Sequence, residues 1–254
     1  YKNSNQNNSN NKLFNLARPA KLDIDIPEND NKKIENNNAD QLERTPKIYR
    51  KDMGQRGFYD KRNNLNDLTG KEWKFMSKSV ITRSYPPDLQ HNLRKQHGGQ
   101  KPPLLCADLI KTFTKKGETV LDPLMGVGGT LLGAALCDRK AIGIELNKQW
   151  IDIYKKVCEL EDLKELKTFE DDCKNVLKKA SKNSIDFILT DVPYWNMDKV
   201  EKTRSKVAAK SNLSRFNGSG IQTKQEWIDD LVEIFDLCHG VLKNKKYLAI
   251  FIGD

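Results

Sequence analysis

Two short stretches hold residue types whose spacing can do chemistry. The first, Leu121-Asp122-Pro123-Leu124-Met125-Gly126-Val127-Gly128-Gly129-Thr130, follows the apolar run Thr119-Val120-Leu121. Glycines in such a turn let the backbone approach a ligand closely and leave helix N–H groups facing it. Tight strand-to-helix turns also use glycine for packing alone, so the loop gains meaning from its partners. Glu145 lies 19 residues after Gly126, at the end of the next apolar run, where a carboxylate can accept hydrogen bonds from ribose hydroxyls. The third, spaced glycine of a dinucleotide loop is missing, and Asp122-Pro123 places a carboxylate where a pyrophosphate would be repelled. A cationic, amino-bearing ligand suits that loop instead. S-adenosylmethionine, with its sulfonium and α-ammonium, fits. Asp171-Asp172 follows a third apolar run, Leu166 to Phe169, where Asp172 is placed to bond the adenine amino group.

The second stretch is Thr190-Asp191-Val192-Pro193-Tyr194-Trp195, at the end of the apolar run Ile185 to Leu189. Its residues suit methyl transfer to an exocyclic amino nitrogen, a poor nucleophile because its lone pair is delocalised into the ring. An acceptor carboxylate (Asp191) and a backbone carbonyl (Val192) gripping the two N–H bonds favour a pyramidal nitrogen. Pro193 holds that carbonyl in an open turn, and Tyr194 or Trp195 can stack on a base swung out of a duplex. An aromatic-capped strand end with a proline helix stop is the plainer alternative.

These stretches need a scaffold that brings strand ends together. From Pro102 onward apolar runs alternate with helical patterns. Leu104, Leu105, Leu109, Ile110 and Phe113 recur at helical spacing behind Pro102 and Pro103, and Thr130 to Cys137 is a small-residue helix. Lys148 to Leu160 places Trp150, Ile151, Tyr154 and Val157 on one face, and Trp227 to Leu242 is amphipathic. Strands are expected at Thr119–Leu121, Ala141–Ile144, Leu166–Phe169, Ile185–Leu189 and Tyr247–Ile252. The alternation predicts an α/β fold with a doubly wound, Rossmann-like parallel sheet. The sheet is expected to lack its C-terminal strands, because the sequence stops just after Ile252.

Residues 1–45 are rich in Asn and Lys without a sustained apolar period and read as a disordered arm. Residues 46–100 form a basic N-terminal extension, with Tyr49, Phe58, Tyr59, Trp73 and Phe75 spaced among cations and a helix barred at Tyr85-Pro86-Pro87. Residues 101–254 form the third region.

Formal net charge is +9 over 254 residues, unevenly spread. Residues 51–105 carry 11 basic against 5 acidic side chains, while 106–195 carry 14 against 15. The loop 196–220 adds six basic residues, among them Lys199, Lys202, Arg204 and Lys206, against two acidic ones. A polyanion is the natural partner of that layout, with a merely solvated lysine-rich surface as the alternative. No apolar run approaches the ~20 residues of a membrane span. The five cysteines lie apart without a C-x-x-C pair, and His91, His97 and His239 are scattered, so no disulfide framework or metal site is expected. An intracellular protein of the cytoplasm or nucleoid is the expectation.

Together the motifs resemble those of the S-adenosylmethionine-dependent DNA amino-methyltransferases of restriction–modification systems and phages. Asp122 to Thr130 resembles their D-P-F-x-G-S-G-T-T cofactor loop, and Asp191-Val192-Pro193-Tyr194 their catalytic D-P-P-Y. His97-Gly98-Gly99-Gln100-Lys101-Pro102 resembles the H-P-x-Q-K-P segment that encloses the methionine end of the cofactor, and Asn66 to Trp73 a stretch found upstream in some members. Val192 stands where the family has its first Pro, and Leu124 where it has Phe. The resemblance implies a cofactor site of Lys101, Asp122, Pro123, Gly126, Gly128, Thr130, Glu145 and Asp172. It implies catalysis by Asp191, Val192, Pro193 and Tyr194, with Trp195, Lys199, Lys202, Arg204 and Lys206 on base or phosphate. The implied reaction methylates a flipped base in double-stranded DNA, N6 of adenine before N4 of cytosine, beside a restriction endonuclease or specificity subunit. With Asp191 only 69 positions after Asp122, a target-recognition domain is not expected there; it would follow residue 254, or the basic extension serves. An RNA base methyltransferase and an inactive nucleic-acid-binding homologue are the competing readings.

Overall fold

Five parallel strands form the sheet that carries both motifs. The computed structural model describes residues 47–193 and 223–252, so the expected arm and the 196–220 loop lie outside the described residues. The strands are β3 (Thr119–Asp122), β4 (Lys140–Glu145), β5 (Lys167–Glu170), β6 (Ile185–Asp191) and β7 (Leu242–Phe251), in spatial order β5-β4-β3-β6-β7. Chain order runs outward from β3 in one direction and from β6 in the other. The switch point therefore falls between β3 and β6, which pair in parallel with Val120 beside Phe187 and Leu121 beside Ile188. Open α/β sheets place ligands in the crevice beyond the carboxyl ends at such a point.

Side-chain alternation divides the core into two faces. Val120, Phe187 and Leu189 pack with Cys106 and Ile110 of α3 (Pro103–Phe113), Leu131 of α4 (Gly129–Leu136), and Trp150 and Tyr154 of α5 (Lys148–Leu160). Leu121, Ile144 and Ile188 face the other way. They meet Leu177 of α6 (Cys173–Lys179) and Ile234 and Cys238 of α7 (Lys224–Val241). The predicted doubly wound sheet is present, with helices on both faces.

Several boundaries differ from the sequence reading. Helix α7 begins at Lys224 rather than Trp227 because Thr223 and Glu226 form a capping box. Strand β7 begins at Leu242 rather than Tyr247. Its polar first half, Lys243 to Lys246, carries a register irregularity with Lys245 at φ 62°, which hides it from an apolar pattern. The basic extension holds more structure than expected. Strands β1 (Arg50–Asp52) and β2 (Phe58–Asp60) pair antiparallel, and α1 (Gly70–Met76) starts at a second capping box, Thr69 with Glu72. Asn66 ties this region to α3 by donating from Nδ2 to the Thr112 carbonyl at 2.7 Å.

Helices α3 and α4 touch through Gly133. A Cβ added there would lie 2.8 Å from the Ala107 nitrogen, the Pro103 carbonyl oxygen and the Cys106 Cβ. Alanine in a helix interior normally gains roughly 0.5–1 kcal/mol over glycine. Here overpacking against backbone opposes it, at about 1–3 kcal/mol. Gly133→Ala is therefore expected to lower stability in urea melts, and a more stable variant would contradict the close helix contact.

Candidate active site

Strand β3 ends on Asp122, a residue only 4% exposed. Its Oδ1 accepts the Thr190 hydroxyl at 2.8 Å and the Leu124 N–H at 3.2 Å. Burial pushes this carboxyl up to about 6, against the opposing hydrogen bonds of Thr130 and Thr190 and with the charge of Asp191 adding to the rise. Thr190 belongs to β6, so this bond ties the exits of the two switch-point strands together. Thr130 adds a second tie, its hydroxyl donating to the Leu189 carbonyl at 3.3 Å.

The glycine loop is held by neighbours on every side. Gly126 and Gly128 sit at φ 50° and 76°, the left-handed region that glycine enters without penalty. A Cβ on Gly126 would lie 2.9 Å from His97 Nε2, one on Gly128 would run into the Tyr154 ring, and one on Gly129 would lie 2.9 Å from the Lys101 carbonyl oxygen. These glycines thus admit the protein's own groups. Pro123 is buried at the start of the loop. Glu145 fastens the loop from the side: Oε2 accepts the Gly126 N–H at 3.0 Å and Oε1 the Asn147 N–H at 2.9 Å. Burial raises its pKa despite those two bonds. Asp172 N-caps α6 by accepting the Lys174 N–H at 2.8 Å, while Asp171 accepts from Asn175 and from the Asp172 N–H.

Asp191 closes β6 beside Asp122. Its Oδ2 pairs with the Lys101 ammonium, which stands 5.6 Å above the centre of the Phe251 ring. Its Oδ1 is buried and has no hydrogen-bond partner. Burial raises the Asp191 pKa, with Lys101 opposing the rise. Val192 is buried, and the carbonyl of Pro193 accepts the indole N–H of Trp227 at 2.9 Å, which fixes the turn after the strand.

The structure brings Asp122, Thr130, Asp191 and Lys101 together at the switch point, with Glu145 behind the glycine loop. Tyr194, Trp195, Lys199, Lys202, Arg204 and Lys206 lie outside the described residues. Three contributors were given no role in the site by the sequence: Thr190, Trp227 and Arg94. Thr190 directly precedes Asp191, so a strand ending on a hydroxyl and a carboxylate was the available signal. Trp227 and Arg94 act through tertiary contacts, for which no local signal exists. His97, whose segment the family resemblance sets at the methionine end of the cofactor, lies edge-on to Trp150 with centroids 5.0 Å apart and walls the glycine loop at Gly126.

A sequence family described as DNA methylase matches residues 2–156, a span that contains the glycine loop and Glu145. The chain belongs to that family. The family comprises S-adenosylmethionine-dependent DNA amino-methyltransferases of restriction–modification type, and S-adenosylmethionine is the methyl donor. The chain is similar to the type II methyltransferase M2.DpnII of Streptococcus pneumoniae, 33% identical over 104 residues, 41% of this chain and 36% of that protein. It is 37% identical over 91 residues to the type II methyltransferase M.BglI of Bacillus subtilis, 36% of this chain and 25% of that protein. The matched stretch thus spans about a third or less of these relatives. Among solved structures, that of PH0851 aligns over 58% of this chain and 32% of its own at 17% identity, TM-score 0.44.

The buried Asp122 makes a pH prediction. Between the usual carboxylate value and about 6 the folded protein holds a proton that the unfolded chain has lost, so stability falls as pH rises through that window. Above it the ionised group costs the fold on the order of 2–3 kcal/mol. Asp122→Asn keeps an acceptor for Thr190 without the charge. Its thermal midpoint is expected to exceed wild type near about pH 7.5, with the gap closing toward about pH 5. A gap independent of pH would show that the carboxylate ionises there without penalty.

Proposed function

We propose that this DNA methylase transfers the methyl group of S-adenosylmethionine to the exocyclic amino nitrogen of a base swung out of double-stranded DNA, N6 of adenine in preference to N4 of cytosine. The observation that carries the reading is Asp191 Oδ1, a buried acceptor without a partner at the carboxyl edge of the sheet, beside a glycine loop. A fold does not leave such an atom unpaired for stability, since an unsatisfied buried acceptor costs about 1–3 kcal/mol. An incoming N–H satisfies it.

The donor set fits the cofactor. Asp122 and Glu145 supply negative charge on either side of the loop, and the α4 N-terminus follows Gly128. We assign Asp122, Pro123, Gly126, Gly128, Thr130, Glu145 and Asp172 to that half of the site. Glu145 and Asp172 each keep acceptor capacity beyond the backbone bonds they make. When bound, the cofactor supplies an electrophilic methyl whose C–S bond breaks, its electrons staying on sulfur, as the nitrogen lone pair forms the N–C bond. Asp191 Oδ1 accepts one N–H and the Val192 carbonyl the other, which draws the lone pair out of the ring, and the proton lost from nitrogen leaves through Asp191. Thr190 and Trp227 hold the two ends of this acceptor turn.

Residues 46–100 are assigned to DNA contact. Exposed Tyr49 and Phe58 on the hairpin each carry an arginine over the ring, Arg62 at 4.7 Å and Arg50 at 4.1 Å. Lys47, Lys51 and Lys74 of the same extension are exposed. Tyr194, Trp195 and the basic residues Lys199, Lys202, Arg204 and Lys206 are assigned to the flipped base and the phosphates from the sequence motif. Residues 101–254 carry the transferase site. A nuclease cutting the same recognition sequence is the expected companion. Among the described residues no helix is long and apolar enough to cross a membrane.

The test is incubation with methyl-labelled cofactor and separate DNA and RNA, followed by nucleoside analysis. Label in N6-methyladenine of DNA is expected; label in N4-methylcytosine or in RNA overturns that part of the assignment. Asp191→Ala is expected to abolish transfer while keeping cofactor affinity. Glu145→Ala is expected to weaken cofactor binding by about 1–3 kcal/mol. An unchanged dissociation constant would remove Glu145 from the cofactor site.

A further inference from the structure

Lys101 was grouped with the cofactor residues, yet its ammonium lies on Asp191. Its backbone is clamped. Arg94, 1% exposed, donates Nη1 to the Lys101 carbonyl at 3.2 Å, Nε to the Leu89 carbonyl at 2.8 Å and Nη2 to the Asp88 carbonyl at 2.8 Å. One buried guanidinium therefore gathers the loop from Asp88 to Lys101 into a fixed strap. On its other side the Lys101 carbonyl abuts Gly129 at the start of α4, a place that no side chain could share. From this anchored root the side chain runs to β6, over the Phe251 ring that pairs with Asp191 across β6 and β7. A long, flexible side chain rooted so firmly loses less freedom in holding one ion pair.

We propose that Lys101 is a positioning residue for Asp191: its ammonium immobilises Oδ2, so that Oδ1 alone is presented to the target amino group. The inference rests on the assignment of Asp191 to methyl transfer. The asymmetry of the carboxylate is the decisive geometry, with one oxygen in an ion pair and the other buried without a partner. Free to rotate, the carboxylate would offer either oxygen and lose direction. It would also protonate more readily, because burial raises its pKa and Lys101 is what opposes that rise. A protonated Asp191 would turn a donor toward an amino group that needs an acceptor. The groups facing it are Lys101 from the strap, Asp122 from β3 and the apolar Phe251 from β7, so Lys101 is the cation among these that holds the carboxylate ionised. Lys101 thus acts through Asp191 and leaves cofactor binding to the glycine loop.

The test uses the full chain labelled with 13C-aspartate, followed by NMR over a pH series, with Asp191→Asn identifying the Asp191 carboxyl signal. In Lys101→Met that carboxyl is expected to titrate about 1–3 pH units higher than in wild type, and Lys101→Arg to restore most of the difference. The same Lys101→Met protein is expected to bind the cofactor as wild type does by calorimetry, while kcat for DNA methylation falls about 10–100-fold and its acid limb moves to higher pH. An Asp191 titration identical in wild type and Lys101→Met overturns the proposal. So does a rise of about tenfold or more in the cofactor dissociation constant with the titration unmoved, which would make Lys101 a cofactor ligand. The NMR comparison needs no turnover, so absence of methylation by wild type would count against the proposed function and not against the pair.

Discussion

The hydrogen bond from the Thr190 hydroxyl to the buried Asp122 carboxylate joins the two halves of the site. It spans the switch point of the sheet, where the chain leaves β3 in one direction and β6 in the other. Parallel pairing aligns the strand bodies, but strand ends are free to splay once the ladder stops. A charged acceptor gripped by a hydroxyl one residue before Asp191 removes that freedom. The glycine loop and the turn after β6 are then presented side by side, as the proposed transfer between two bound molecules requires.

The arrangement gathers negative charge in a poorly solvated place. Asp122, Glu145 and Asp191 all have carboxyls that burial raises above their ordinary range. The protein offsets this unevenly. Asp191 has Lys101, Glu145 has two backbone N–H groups, and Asp122 has hydroxyl and amide donors but no cation among the described residues. Asp122 is therefore the least compensated charge and the one best matched to a sulfonium or ammonium. Perturbed carboxylates grouped at a sheet edge are a common mark of function. Their cost to the fold is met by the packed faces of the sheet, where Phe187, Leu189 and Ile188 are fully buried.

Much of this was legible in the sequence. The apolar runs of β3, β4 and β6 stood out because strands buried on both faces carry little polar interruption. Asp122, Glu145 and Asp191 were each read at the end of such a run, and each lies at a strand end. What escaped were elements whose signal is polar or tertiary. The start of β7 is a lysine-rich stretch, and α6 is a short helix capped by the very Asp172 assigned to the ligand. The box Thr69-x-x-Glu72 announced α1 and went unused. The pairing of Lys101 with Asp191, 90 residues apart, carries no local trace, because it depends on how Arg94 folds the strap. Motifs pointed to the candidate residues, and the fold shows which of them hold one another.

The central claim is that the exits of β3 and β6 form one chamber for donor and acceptor. A crystal structure of the full chain with S-adenosylhomocysteine tests it most directly. The account predicts the ligand seated on the glycine loop, its homocysteine end toward Asp122, with the sulfur directed at the unpaired oxygen of Asp191. A ligand bound outside the β3–β6 crevice, or one whose sulfur points away from Asp191, would contradict it.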